Sequence, residues 1–189
     1  MSLNERADWD LRHREWRGAG PESFVLELLP LLPRGLALDV ACGAGRHSIF
    51  LGRCGYRVHA VDFSLAAIEH LARSARQERL EKVQCLVADL EHYPLPADYY
   101  DLIVNINYLD RQLIPRLKRA LKPGGALLFE TFLIDQAQVG HPSNPRFLLG
   151  HYELRELMAG LELTRYRECL TVSPEGVKSW RAGALGRRQ

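Results

Sequence analysis

The chain has 189 residues, 47% hydrophobic and 25% charged, with a net charge of +2. That length fits one domain with a full core and is short for two, so residues 1–189 are read as a single domain. The balanced charge leaves no electrostatic footprint for nucleic acid, and no apolar run approaches the roughly 18–20 residues a bilayer span needs.

The opening "MSLNERADWDLRHREW" is charged throughout and is no signal peptide. Cys42, Cys54, Cys85 and Cys169 contain no CxxC pair, which indicates neither a metal site nor a disulfide framework. A cytoplasmic protein with reduced thiols is the expectation. In "ADWDLRHREW" the residues Trp9, His13 and Trp16 recur at i, i+4 and i+7, which predicts a helix within residues 1–20. Next come an apolar strand over 36–41 and a short helix over 46–54 with Ile49, Phe50 and Leu51 on one side. "RVHAVD" (57–62) reads as a second strand, and Ser64 as the N-cap of a helix to about residue 80 with Leu65, Ile68 and Leu71 at helical spacing.

A third strand is predicted over 83–88, a fourth over 101–105 and a helix over 110–121. Pro115 falls near the first turn of that helix, where a missing N–H costs least. "KPGG" (122–125) stops it before a fifth strand, "ALLFETF" (126–132), and a looser stretch over 133–150 precedes a helix around 153–158. The last two strands, 161–169 and 177–185, have only 170–176 between them. That is too short for a helical crossover, so they are expected to pair as a hairpin and put one antiparallel strand into an otherwise parallel sheet. The fold class is α/β, doubly wound, with ligands at the carboxyl ends of the strands.

The turn in "ALDVACGAGRHSIFL" carries the chemistry. Gly43 and Gly45 let the backbone turn tightly and approach a ligand without a Cβ in the way. Nicotinamide and flavin enzymes share such a turn, but the third position of their pattern is Ser48 here, and Asp39 stands four residues before the first glycine. A carboxylate there repels a pyrophosphate and attracts an ammonium group; the plainer alternative is that Asp39 only caps local backbone groups. Asp62, 19 residues beyond Gly43, is placed to accept both ribose hydroxyls, which suits either cofactor type. Asp89 in "VADLEHYPLP" can accept an adenine amine, with Leu90 supplying backbone and apolar contact, or else simply form a turn. Together the three acids favour a ligand with an adenosine and a cationic amino-acid end, S-adenosylmethionine.

The stretches "LDVACGAGRHSIFL", "HAVDFS", "VADL" and "LKPGGALLFETF" resemble the class I S-adenosylmethionine-dependent methyltransferases over about residues 36–185. "CGAGRHSIFLGRCGYRVHAVDFS" and the N-terminal "WDLRH" are similar to the tellurite-resistance methyltransferase-like branch. The resemblance implies a Rossmann-like, mostly parallel seven-stranded sheet with an antiparallel last strand. It implies cofactor contacts from Asp39, Ala41, Gly43, Gly45, Asp62, Phe63, Asp89, Leu90 and Asn105, and an N-terminal helix that covers the cofactor pocket. It would also place a His-Arg pair between the last two strands. Here that stretch is "TVSPEG" (171–176), with neither residue, which counts against tellurite as the acceptor.

Asn105, Tyr108 and Arg111 in "NINYLDRQLIP" follow the fourth strand, where the resemblance implies groups beside the transferred methyl. "NINY" lacks both prolines of the Asn-Pro-Pro-Tyr motif of amino-methylating enzymes. "HPSNPRFLLG" (141–150) suits a substrate-covering loop in which Arg146 holds an anionic acceptor, or else makes a surface salt bridge. Glu130 reads as either a wall of the site or a buried hydrogen-bond partner, His47 as helix surface or pocket wall, and His59 as structural. The expected activity is methyl transfer to a small-molecule acceptor, anionic or a soft nucleophile. The alternatives are an S-adenosylmethionine-binding protein or partner subunit without transfer activity and, more remotely, an NAD-type oxidoreductase.

Overall fold

The computed structural model describes residues 20–173 and 176–189. The helix expected around Trp9, His13 and Trp16 lies outside them. In chain order the elements are α1 (Ser23–Leu28), β1 (Leu36–Val40), α2 (Arg46–Arg53), β2 (Arg57–Asp62), α3 (Leu65–Gln77), β3 (Val83–Val87), β4 (Tyr100–Ile106), α4 (Ile114–Ala120), β5 (Leu121–Phe132), α5 (Glu153–Leu157), β6 (Glu162–Val172) and β7 (Lys178–Arg187). The seven strands form a sheet in the order β3-β2-β1-β4-β5-β7-β6. The chain divides into two compact units, one running to Pro94 and including Tyr100–Val104, the other made of Leu95–Tyr99 and Asn105–Gln189.

In the first unit β1 pairs in parallel with β2, and β2 with β3. Every residue of β1 is buried, which explains its unbroken apolar run: a parallel strand is covered on both faces. Gly35 enters it at φ 139°, and a Cβ there would lie 2.2 Å from an Asp101 carboxylate oxygen. The same oxygen accepts the N–H of Leu36 at 2.7 Å. Ser64 caps α3 as expected, accepting from the N–H of Ala67. The buried face is Ala67, Ile68, Leu71 and Ala75, however, and Leu65, expected on it, is 56% exposed at the helix start. The sequence reading assigned nothing to α1, although Phe24, Val25 and Leu28 already have the spacing of its buried side.

The second unit contains the expected hairpin: β7 runs antiparallel to both β5 and β6. Helix α4 is shorter than predicted. Asp110 forms a side-chain turn, accepting the N–H of Gln112 at 2.9 Å, and the helix waits for Pro115, which cannot donate within it. The "KPGG" turn, expected to lie before the strand, counts as part of β5 because Gly124 and Gly125 exchange backbone bonds with Arg188. The stretch 133–150 holds two 3-10 turns, Ile134–Gln138 and Pro145–Phe147.

Candidate functional site

The glycine turn lies between β1 and α2. Ala41, Gly43 and Gly45 have φ of 50°, 53° and 86°, so the backbone passes three times through the left-handed region. Gly45 is obligatory for a second reason: a Cβ on it would fall 2.2 Å from Leu71 of α3. Asp62, buried at the end of β2, accepts the N–H of Gly43 at 2.8 Å and of Ser64 at 2.9 Å, one on each carboxylate oxygen. It therefore ties the glycine turn to the start of α3. A carboxylate offers roughly four acceptor positions, so this duty is compatible with accepting ribose hydroxyls.

Asp39 accepts the Ser48 hydroxyl at 2.5 Å. Burial pushes its carboxyl up to about 7, against the opposing pull of the Ser48 hydroxyl and Arg46; Asp62 pushes it further up. Arg46 is turned to Glu22, with which it forms a 2.8 Å ion pair. Asp89 accepts the Glu91 N–H at 3.1 Å in a side-chain turn, and its carbonyl receives the N–H groups of His92 and Tyr93. Leu90 beside it is buried, and Phe63 is half-buried. His47 is a buried acceptor for the Glu22 N–H at 3.3 Å, not helix surface. His59 meets the Tyr100 hydroxyl at 3.2 Å, a structural post.

In the second unit Asn105 is buried and its amide donates to the Tyr108 carbonyl at 2.7 Å, closing the "NINY" bend. Arg111 makes a two-pronged bond to Glu153, at 2.5 and 3.0 Å, and donates to the carbonyls of Arg146 and Leu148. Glu153 in turn accepts the Gly150 N–H at 2.8 Å. Arg111 is thus the clamp of the 146–150 stretch. Arg146 is exposed, and its guanidinium takes no partner among the described residues. Glu130 is 1% exposed, with Arg167 at 2.7 Å and Arg181 at 3.8 Å. Register explains the pairing: Glu130 and Arg167 both stand opposite Gly183 of β7, which has no side chain between them. Arg181 also donates to Asn107 and lies 4.4 Å over the Phe132 ring.

A family profile described as a methyltransferase domain matches residues 37–125, the stretch that holds the glycine turn and all three acids. Over that stretch the chain resembles a methyltransferase domain. Among curated relatives it is 33% identical over 111 residues to malonyl-[acyl-carrier protein] O-methyltransferase of Herminiimonas arsenicoxydans, covering 57% of this chain and 41% of the relative. It is 27% identical over 172 residues to Hemagglutinin 1 of Eikenella corrodens, covering 88% of this chain and 56% of the relative. The chain spans about half the length of the curated relatives it matches. In fold it is similar to TehB from Haemophilus influenzae, with a TM-score of 0.78 at 23% identity over 95% of this chain and 66% of that one.

The donor set around the glycine turn fits S-adenosylmethionine. Two carboxylates close enough to oppose each other's ionisation, Asp39 and Asp62, flank the glycine turn. A pyrophosphate there would add negative charge to that pair, whereas an ammonium would relieve it. Sequence reasoning missed Arg167 and Arg181 altogether. The available signal was Arg165 and Arg167 at alternate positions of β6, and Arg181 two residues before Gly183 on β7.

Proposed function

We propose that the protein transfers a methyl group from S-adenosylmethionine to a small-molecule acceptor that is anionic or a soft nucleophile. The observation that carries this reading is the row of acids Asp39, Asp62 and Asp89, at or just beyond the carboxyl ends of the neighbouring parallel strands β1, β2 and β3. In this reading Asp89 and Leu90 receive the adenine, Asp62 the ribose hydroxyls and Asp39 the ammonium group, with Ala41, Gly43, Gly45, Phe63 and Asn105 completing the contacts. The bound cofactor supplies a methyl carbon already activated by its sulfonium. The chain then needs mainly to align the acceptor and, for an acidic acceptor, to take a proton.

An anionic acceptor is supported by the exposed Arg146. Asn105 and Tyr108 are the remaining candidates for orienting it. The net charge of +2 favours a small molecule over nucleic acid.

Thermal unfolding with S-adenosylmethionine and with NAD tests the cofactor. The first should stabilise the protein by roughly 2.7 kcal/mol at a hundred times its Kd, and the second should leave it unchanged. Equal stabilisation by NAD refutes the assignment. Release of S-adenosylhomocysteine across thiols, selenite and small carboxylic acids then tests transfer. A protein that binds the cofactor and turns over none of these is a binding protein.

A further inference from the structure

Gly45, at the N-cap of α2, has no side chain with which to accept from the first-turn N–H groups of the helix. The helix's third residue, Ser48, instead turns its hydroxyl to Asp39 of β1, at 2.5 Å. Both residues are closed off from water, Ser48 at 0% and Asp39 at 1% exposure. The charged and titratable groups facing Asp39 are Arg46 from α2, Asp62 from β2 and Cys42 from the turn. A carboxylate torsion is otherwise broad, with two nearly equivalent oxygens. A short bond from a fully buried hydroxyl restricts that freedom.

We infer that Ser48 is a positioning residue for the cofactor, its hydroxyl holding the Asp39 carboxylate in the orientation that receives a ligand's ammonium group. The inference rests on the cofactor reading proposed above. In a dinucleotide-type turn this helical position brings helix and strand together through a small residue; here it carries a hydroxyl whose bond goes to the acid. That bond also favours the ionised carboxylate against the burial that opposes it, so it sets the pH at which the acid is ready for a cation.

Calorimetric binding of two ligands separates this role from a merely structural one. S-adenosylmethionine carries the ammonium group; 5′-methylthioadenosine keeps the adenosine and the thioether but lacks it. Wild type, Ser48→Ala and Ser48→Cys are compared from about pH 5.5 to about pH 7.5, cysteine filling the same space with a weak donor. Both variants should bind S-adenosylmethionine about tenfold more weakly. Their affinity for 5′-methylthioadenosine should change less than about twofold, and the pH at which S-adenosylmethionine affinity levels off should rise. Equal losses for both ligands, or no loss for either, overturn the role of Ser48. A wild-type protein that fails to bind S-adenosylmethionine overturns the cofactor reading instead. Should Ser48→Ala not fold, Ser48→Cys carries the comparison.

Discussion

Replacing Asp39 by Asn should make the ligand-free protein more stable, and increasingly so as pH rises. Asn keeps the volume and one acceptor for Ser48, but it cannot ionise. The wild-type carboxyl has an ordinary value of 3.8 and is pushed up to about 7 by burial. From about pH 5.5 to about pH 7 the unfolded chain is therefore ionised at this residue while the folded protein still holds the proton. Stability then falls with pH by about 1.4 kcal/mol per unit and levels off once the folded carboxyl has ionised. Between about pH 5.5 and about pH 8 the difference between variant and wild type should widen by about 2 kcal/mol. Urea unfolding of both proteins at four or five pH values measures it, and the histidines, common to both, cancel. S-adenosylmethionine should reverse the order at the upper end, because its ammonium group favours the ionised wild type and finds no charge in the variant. A stability difference that stays flat across the range would show that Asp39 ionises normally, and the argument from its burial fails.

Asp62→Ala should weaken cofactor binding by a few kcal/mol and also lower Tm, because the same carboxylate holds the N–H groups of Gly43 and Ser64; calorimetry on the folded variant checks both, and unchanged affinity removes the ribose contact. Arg111→Ala should cost about 1 kcal/mol or less in stability, since the Glu153 pair is partly exposed, yet open the 146–150 stretch to limited proteolysis; an unchanged cleavage pattern contradicts its role as clamp. Arg146→Ala should leave cofactor affinity and Tm intact and raise the acceptor KM about tenfold. Wild-type kinetics with an authentic acceptor would remove Arg146 from that role.

The first unit was largely legible in the sequence because its logic is local. A buried strand, a glycine turn and a helix follow one another within 18 residues from Leu36 to Arg53, and the acids fall where parallel strands end. Ser64 announced the α3 cap by residue type alone. What failed there was the outward turn of Leu65, which depends on where α3 meets its neighbours. The second unit is governed by partners far apart in the chain. Arg111 looked available for an acceptor, but its carboxylate, Glu153, lies 42 residues on. Glu130 gave no sign of its partner because Arg167 is 37 residues away and reaches it only through the register opposite Gly183. The hairpin itself could be foreseen from its short connection; its register could not.

That topology bears on how the second unit forms during synthesis. Strand β7 lies between β5 and β6 but follows both in the chain, and its ladder joins Ala126 to Arg187 at one end and Phe132 to Arg181 at the other. Until residues 181–187 have left the ribosome, β5 presents a bare, apolar edge with no permanent neighbour on that side, the kind of surface that recruits a foreign strand. Closing the gap requires pairing across roughly 50–60 residues, a non-local and therefore slow step. The nascent chain thus has a window of vulnerability on the ribosome that closes only when β7 slides in between two strands that have been waiting for it.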